Sequence, residues 1–273
     1  MNRIWLVADD YGMTLPVNGA IRDLIARGRI NATSVMVGAP GFNAYEAKLL
    51  ADVVADARHA AIGLHFTLTA PFKPLGDDYA PLKDGKFLSL GRTMAASFLG
   101  HLERMAIAEE VRAQIDMFKA AFGRAPDYID GHQHVQLLAP VTDALLAVMK
   151  QDAPGAWVRQ CGRAPNAASG DRKAMLLDFL SHRFRKRAAA NGIATNAAFA
   201  GTYDFGPDAD FAALFPNFLR GMPERGLVMC HPGVVDDALV ALDSLTALRE
   251  REYAYFKDDR FPAILAANGV ELL

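Results

Sequence analysis

Short apolar runs alternate with amphipathic stretches along most of the chain. The first run, from Ile4 to Ala8, is apolar throughout, as is typical of a strand that is covered on both faces in a parallel sheet. The next stretch, from Thr14 to Arg27, combines a capping hydroxyl, an early proline and apolar residues at helical spacing, and Gly28 ends it. Strands that alternate with helices of this length predict βα units and a mostly parallel sheet.

The same alternation continues to the last residues. Further strands are predicted at Thr33 to Val37, Ala61 to Leu68, Tyr128 to Leu138 with its loop, Trp157 to Cys161, Thr195 to Phe199, Leu227 to Cys230 and Val270 to Leu273. Helices are predicted at Asn43 to Ala57, Ile107 to Phe122, Val141 to Lys150, Arg172 to Asn191, Phe211 to Leu219, and as one or two helices between Leu242 and Ala267. Seven or eight such units predict a single α/β domain over residues 1–273, a TIM-like (β/α) barrel that need not be regular.

One stretch breaks this rhythm. Residues 71–102 contain prolines and glycines scattered among aromatic and apolar residues. A long connection after the third strand lies on the side of the sheet where α/β folds carry their chemistry. We therefore interpret it as a lid insertion over a substrate, with a partly disordered insertion as the alternative.

Composition argues against several classes of protein. The formal net charge is −2, and no stripe of Lys and Arg interleaved with aromatic residues is present, so nucleic acid is not an expected partner. Cys161 and Cys230 lack Cys-x-x-Cys spacing, which indicates a reducing compartment rather than a zinc-thiolate site. The chain begins directly with a strand and has no apolar run of membrane-spanning length. We expect a cytoplasmic protein with no stable membrane anchor.

The first strand ends in two adjacent carboxylates, Asp9 and Asp10. At the end of a buried strand two such groups repel each other and lose hydration. A turn acid beside a helix cap is the structural alternative, but it does not explain why both are present. We interpret the pair as a division of roles, in which one carboxylate holds a cation and the other stays free as a base.

Polar residues also follow two later strands. Period-two alternation places His65 on the polar side of the third strand, where a lone histidine is more often a core residue than a ligand. The same alternation places Asp130, His132, His134 and Gln136 on one face of the fourth strand. Four polar groups on one side of a buried strand each need a partner or cost free energy. Packing alone therefore explains them poorly.

A bound cation would resolve this difficulty. One carboxylate and two imidazoles, with positions left for water, are typical of a catalytic rather than a structural metal site. Asp130 is placed to bind the second nitrogen of a histidine ligand and so fix its tautomer. These donors suit zinc and tolerate harder ions, so we expect one divalent metal, with zinc and magnesium as the leading candidates.

A further histidine follows the predicted strand that ends at Cys230. His231 opens a His-Pro-Gly turn, and Pro232 stiffens that turn at the mouth of the sheet. A histidine that only caps the turn is the alternative. Opposite a metal and a carboxylate, an imidazole there suits a general acid.

These motifs resemble those of a known family. Val7 to Gly12, Ile62 to Leu68, Asp130 to Val135 and Cys230 to Pro232 are similar, in order and in spacing, to the four motifs of the YdjC-like carbohydrate deacetylases, which include chitooligosaccharide and hopanoid-biosynthesis deacetylases. The resemblance spans nearly the whole chain. It implies a (β/α) barrel, often with seven strands, a divalent metal, and hydrolysis of the acetamide of an N-acetylated amino sugar.

The resemblance also implies roles for individual residues. It makes Asp10, His65 and His132 the metal ligands, Asp9 the general base and His231 the acid. In the implied reaction the metal polarises the acetamide carbonyl, Asp9 takes a proton from the attacking water, and His231 protonates the leaving nitrogen. The products are acetate and a free amine.

This chain departs from the family pattern at several positions. Gln133 and Gln136 stand where many members carry more histidine, and Tyr11 replaces a common phenylalanine. None of these is a ligand position, so they bear on substrate choice rather than on activity. Gln136 is a candidate to shape the pocket, and His134 and Arg159 are candidates to lie beside the ligands or face the substrate.

Two other functions remain open from the residues alone. A metal-dependent phosphoesterase on the same barrel needs basic groups that hold phosphate, and Arg159 and Arg163 are the candidates near a strand end, with ordinary surface charge as the alternative. A catalytically silent sugar-binding protein is the second, although the intact acid and histidine set argues against it. For a soluble enzyme of this size a homodimer is the common oligomeric state.

Overall fold

Strands and helices alternate as the apolar pattern predicts. The strands are β1 (Asn2–Tyr11), β2 (Ala32–Val35), β3 (Ala61–Phe66), β4 (Leu82–Lys83), β5 (Lys86–Phe87), β6 (Tyr128–Gly131), β7 (Trp157–Val158), β8 (Phe199–Ala200), β9 (Leu227–Cys230) and β10 (Val270–Leu272). The helices are α1 (Leu15–Ala26), α2 (Ala44–Ala57), α3 (Leu90–Phe98), α4 (Arg104–Phe122), α5 (Ala139–Asp152), α6 (Arg172–Ala190), α7 (Phe211–Leu219), α8 (Asp237–Leu242), α9 (Ala247–Lys257) and α10 (Phe261–Ala267), with a 3-10 helix at His132–Leu137.

A parallel sheet forms half of a barrel with helices around it. This computed structural model describes residues 1–57, 60–76, 78–164, 172–206 and 208–273. Within them the strand order is β7, β6, β3, β2, β1, β9, β8, and each neighbouring pair is parallel. Val158 near one edge pairs with Thr195, and the Phe199 N–H on the other edge donates to the Gly162 carbonyl at 2.9 Å. The predicted single-domain, TIM-like α/β fold is confirmed.

The first strand lies at the centre of this sheet. β1 pairs with β2 on one side and with β9 on the other, and β10 pairs with its first residues. Ile4, Leu6 and Val7 have no exposed surface. Burial of each such side chain contributes about 1.5–3 kcal/mol, which explains why an uninterrupted apolar run was needed here.

Some predicted boundaries are wrong. The fourth strand ends at Gly131 instead of continuing toward Leu138, because the chain turns into the 3-10 helix there. β8 covers only Phe199–Ala200, since the preceding residues pair loosely with the end of β7. The C-terminal region contains α9 and α10 as the expected pair, preceded by the short helix α8.

The stretch after β3 has regular structure of its own. β4 and β5 form an antiparallel hairpin, and α3 follows it. The Phe87 N–H donates to the Phe72 carbonyl at 3.0 Å, and the Tyr79 and Phe87 rings pack edge to face. Phe72 also lies edge to face against His132, with ring centroids 5.7 Å apart. The segment therefore borders the site, and its role as a lid stays a prediction.

No helix among the described residues is both long and apolar enough to cross a bilayer.

Candidate metal centre and active site

The predicted site residues gather at one edge of the sheet. Asp9 and Asp10 lie near the end of β1, His65 near the end of β3 and Asp130 near the end of β6, while His231 directly follows β9. The carboxyl ends of parallel strands meet at the same edge, where α/β folds place their active sites. Strand direction thus brings together residues that are far apart in the sequence.

Two imidazole side chains converge on a single carboxylate oxygen. Oδ1 of Asp10 lies 3.4 Å from Nε2 of His65 and 3.2 Å from Nδ1 of His132. This oxygen is buried and has no hydrogen-bond partner in the described part of the chain. One ligand atom from each of the three residues lies within 4.8 Å of the others. A buried acceptor that faces two imidazole nitrogens fits a divalent cation of the kind that takes N and O ligands.

A hydrogen bond fixes the tautomer of one of these histidines. Nδ1 of His65 lies 2.6 Å from Oδ1 of Asp130, whose other oxygen accepts from the Ser34 hydroxyl at 2.5 Å. The imidazole donates through Nδ1, so Nε2 is the nitrogen that faces Asp10 and is available to a metal ion. This is the carboxylate-histidine arrangement that orients metal ligands, and it matches the place expected for Asp130.

Each member of the acidic pair has its own buried arginine. Nη1 and Nη2 of Arg159 donate to the two oxygens of Asp9 at 2.7 and 2.6 Å, and Nη2 also lies 2.5 Å from Asp130. Nη2 of Arg249 donates to Oδ2 of Asp10 at 2.6 Å. Both arginines have no exposed surface. These bidentate and charge-assisted bonds offset the mutual repulsion and lost hydration of two adjacent carboxylates at a buried strand end.

The charges of this cluster favour a cation. Three buried carboxylates, Asp9, Asp10 and Asp130, face two guanidinium groups. Burial lowers the pKa of His65, but the carboxylates of Asp130 and Asp9 outweigh it and raise that pKa to about 10. The excess negative charge therefore recruits either a proton on His65 or a metal ion, which must displace that proton.

The backbone of β1 turns the acidic pair toward the site. Asp10 has φ 71°, in the left-handed region that residues other than glycine seldom adopt, and the pairing of β1 with β2 shifts register between Ala8 and Tyr11. Burial raises the pKa of Asp10, but Arg249 and the nearby imidazoles of His132 and His65 outweigh it and hold that pKa well below its usual range. Asp10 is thus kept as a carboxylate with one free oxygen.

His231 lies at the carboxyl end of the sheet, and Glu252 holds its backbone. Its N–H donates to Oε2 of Glu252 at 2.5 Å, and its ring lies edge to face against Phe205 with centroids 5.6 Å apart. Burial lowers the pKa of His231 against the opposing effect of Asp10 and Asp9. Its Nδ1 is buried and makes no hydrogen bond in the described part of the chain.

The expected alternation along the fourth strand is wrong beyond Gly131. Gln133 and His134 have φ of 55° and 60°, so the chain turns and the two-residue period ends. His134 leaves the ligand cluster: its Nδ1 lies 3.5 Å from the Cys161 sulfur, and its ring packs against Phe199. Gln136 is buried, and its amide donates to the Arg159 carbonyl at 3.3 Å. His132 still reaches Asp10 because it directly follows β6.

Sequence reasoning missed the contribution of α9. Arg249 and Glu252 are both fully buried on this helix, and Oε1 of Glu252 accepts from the Tyr203 hydroxyl at 2.6 Å. The sequence makes Arg159 a candidate to contact a substrate or a phosphate, whereas in the structure it pairs with Asp9 and Asp130. Nothing in the local pattern distinguishes Arg249 from the other charged residues of this stretch.

Glu252 should make stability depend on pH. Burial raises the pKa of Glu252 from 4.5 to about 7, against hydrogen bonds from Tyr203 and the His231 N–H. Between these values the folded state holds a proton that the unfolded state has released, so stability falls as the pH rises through 7. Relative to Glu252→Gln, the free energy of unfolding of the native protein should drop by roughly 3 kcal/mol from pH 4.5 to pH 8 in urea titrations. Glu250→Gln, which removes an exposed carboxylate from the same helix, is the control. A difference in the free energy of unfolding between the native protein and Glu252→Gln that does not change with pH would contradict the expectation.

Comparison with known proteins places this chain in a family. The model described as YdjC-like protein matches residues 3–267. The chain belongs to the YdjC-like family. The resemblance read from the four motifs is thereby confirmed.

Relatives of this YdjC-like protein have named activities. A carbohydrate deacetylase of Geobacillus stearothermophilus is 26% identical over 275 residues, which cover 97% of this chain and 94% of the relative. A chitooligosaccharide deacetylase of Yersinia pestis is 30% identical over 157 residues, 55% of this chain and 57% of the relative. The second match thus spans somewhat more than half of each protein.

Solved structures show the same fold. A putative cellobiose-phosphate cleavage protein from Enterococcus faecalis superposes with a TM-score of 0.74 at 21% identity, covering 100% of this chain and 97% of that one. A lactam utilization protein from Thermus thermophilus gives a TM-score of 0.51 at 15% identity, covering 99% and 98%. At these identities the likeness concerns architecture alone.

Proposed function

We propose that this YdjC-like protein is a metal-dependent N-deacetylase that removes acetate from an N-acetylated amino sugar or its oligosaccharide. The observation that carries the proposal is the unpartnered Oδ1 of Asp10 between two imidazole nitrogens, beside a second carboxylate with its own arginine. Hydrolytic metal centres combine such a three-residue ligand set with a nearby base. The relatives named carbohydrate and chitooligosaccharide deacetylase support the reaction class.

Asp10, His65 and His132 would hold the cation. Bound there, a divalent cation supplies a Lewis acid for the acetamide carbonyl and lowers the pKa of water. An alternative group of Asp9, His65 and Asp130 is also compact, but the guanidinium of Arg159 lies against both of its carboxylates and would repel a cation there. Two imidazoles and one carboxylate oxygen favour zinc over magnesium, which prefers an oxygen-rich octahedral set.

Two groups outside the ligand set would move protons. Asp9 takes the proton of the attacking water, and Arg159 holds its carboxylate in a fixed plane by two parallel bonds. His231 gives a proton to the leaving nitrogen, because an amine leaves poorly as an anion. Glu252 holds the His231 backbone while this occurs.

The structure weakens the phosphoesterase alternative. Phosphate binding needs cationic groups that can turn to a new anion. Arg159 is buried against Asp9 and Asp130, and Arg163 pairs with Asp178 at 2.6 Å. Both candidate arginines therefore already serve carboxylates of the protein itself.

Removal and return of metal test the proposal directly. Acetate release from a panel of N-acetylated sugars and chitooligosaccharides should be lost after chelation and restored by one divalent metal, zinc first. The ratio of metal to protein should be measured by mass spectrometry on the same samples. Acetate release that is insensitive to chelation would refute metal dependence. Turnover of nitrophenyl phosphate without acetate release would favour the phosphoesterase.

A further inference from the structure

Arg249 has no part in the proton transfers proposed above, yet it touches a metal-ligand candidate. Nη2 donates to Oδ2 of Asp10 at 2.6 Å and to Oδ2 of Asp243 at the same distance. Its Nε donates to the Leu245 carbonyl at 2.9 Å. Three acceptors on two sides of the planar group leave the guanidinium little freedom to rotate.

This contact makes the two oxygens of Asp10 unequal. Oδ2 is used by Arg249, while Oδ1 faces His65 and His132. A carboxylate without such a partner can bind a cation through one oxygen or through both. With Oδ2 held away by a fixed cation, Asp10 presents one oxygen.

The same residue connects the acidic pair to the His231 turn. The Gly233 N–H donates to the Arg249 carbonyl at 3.1 Å, and a Cβ at Gly233 would lie 3.5 Å from Cβ and Cδ of Arg249. Arg249 is therefore held by its backbone as well as by its side chain. Its guanidinium is a preformed part of the site and needs no rearrangement to act on Asp10.

We propose that Arg249 is a positioning residue that restricts Asp10 to one-oxygen coordination and thereby sets which divalent cation the site selects. The inference rests on the metal site of the proposed function. One carboxylate oxygen with two imidazole nitrogens is a nitrogen-rich donor set that zinc prefers, whereas a second carboxylate oxygen moves the set toward manganese and other hard ions. Arg249 thus acts on selectivity through Asp10.

The ratio of the affinities for two metals separates an effect on the coordination by Asp10 from a general change in electrostatic attraction. Removing a guanidinium near a dication strengthens the attraction of every divalent ion by a similar Coulomb energy. That common change cancels in the ratio of the manganese and zinc dissociation constants. A change in the number of oxygens that Asp10 offers does not cancel, because an added oxygen ligand changes the affinities for manganese and zinc by different amounts.

The experiment measures dissociation constants for Zn²⁺ and Mn²⁺ at one pH by competition with a fluorescent chelator, without substrate. The native protein should bind Zn²⁺ much more tightly than Mn²⁺. In Arg249→Leu the ratio of the Mn²⁺ dissociation constant to the Zn²⁺ dissociation constant should fall by about tenfold or more. Arg249→Lys keeps a cation and a donor for Asp10, so it should recover part of the native ratio. If Arg249→Leu does not fold, Asp243→Asn, which frees the guanidinium from its anchor, should shift the ratio in the same direction.

Glu252→Gln is the matched control. It alters a buried side chain one turn further along α9 that contacts His231 and Tyr203 rather than Asp10. Its metal ratio should equal the native ratio. A native protein that binds neither metal would overturn the metal site and this inference together. A native protein that binds both, with an unchanged ratio in every Arg249 and Asp243 variant, would overturn the role of Arg249 alone.

Discussion

Asp9→Asn should lower kcat for acetate release by about 10²–10⁴-fold while the protein keeps its metal. The amide has nearly the same shape as the carboxylate but cannot take a proton from water. The metal should remain because Asp10, His65 and His132 form the ligand group and both oxygens of Asp9 are turned to Arg159. Initial rates and metal content, measured on the same preparation, check both parts.

A second aspartate provides the control for this change. Asp127 precedes β6 at the opposite end of the sheet and pairs with Arg124 through two bonds, at 2.7 and 2.9 Å. Asp127→Asn makes the same chemical change to an arginine-paired carboxylate, and activity should stay within a few fold of native. A metal-free Asp9→Asn protein would overturn the division of roles within the acidic pair. Activity within tenfold of native would remove Asp9 from the mechanism.

Arg159→Met should destabilise the fold by about 3–5 kcal/mol, because it leaves two buried carboxylates without their cation. The methionine fills much of the space of the arginine stem but pairs with neither Asp9 nor Asp130, which are 2% and 0% exposed. Urea unfolding followed by circular dichroism would measure the loss. This loss of stability should be much larger than the loss on breaking a surface ion pair, since exposed ion pairs contribute about 0–1 kcal/mol.

Arg163→Met offers that contrast, because Arg163 and Asp178 are 26% and 35% exposed. A double variant, Arg159→Met with Asp9→Asn, tests the cause. If uncompensated charge is responsible, the double variant should be more stable than Arg159→Met alone, since the two changes remove one pair. Equal or lower stability of the double variant would instead attribute the loss to packing.

The strands and the acidic pair could be predicted because each depends on local pattern. An unbroken apolar run indicated β1, and two-residue alternation indicated the polar side of β3, so Asp10 and His65 were expected at one edge. Alternation along the fourth strand placed His132 on its polar face, and the family resemblance singled it out as a ligand. The common edge followed from the rule that carboxyl ends of parallel strands meet.

Other parts of the site depend on contacts that local patterns do not encode. The left-handed residues Gln133 and His134 end the alternation, and neither of them is a glycine that would signal the turn. Arg249 is one of several charged residues on a surface-like helix, and only tertiary packing shows that it is buried. Only its long-range pairing distinguishes the guanidinium of Arg249 from the other charged side chains of this region.

The separation along the chain between partners in the acidic cluster also bears on how the protein folds. Arg159 lies 150 residues after Asp9, and Arg249 lies 239 residues after Asp10. Contacts between such distant residues require large loop closures and form late. During synthesis Asp9 therefore remains unpaired until Arg159 has been made, and Asp10 remains unpaired until nearly the whole chain has been made. Assembly of this centre should accompany the last cooperative step of folding, and the central strand should be among the last to acquire its final neighbours.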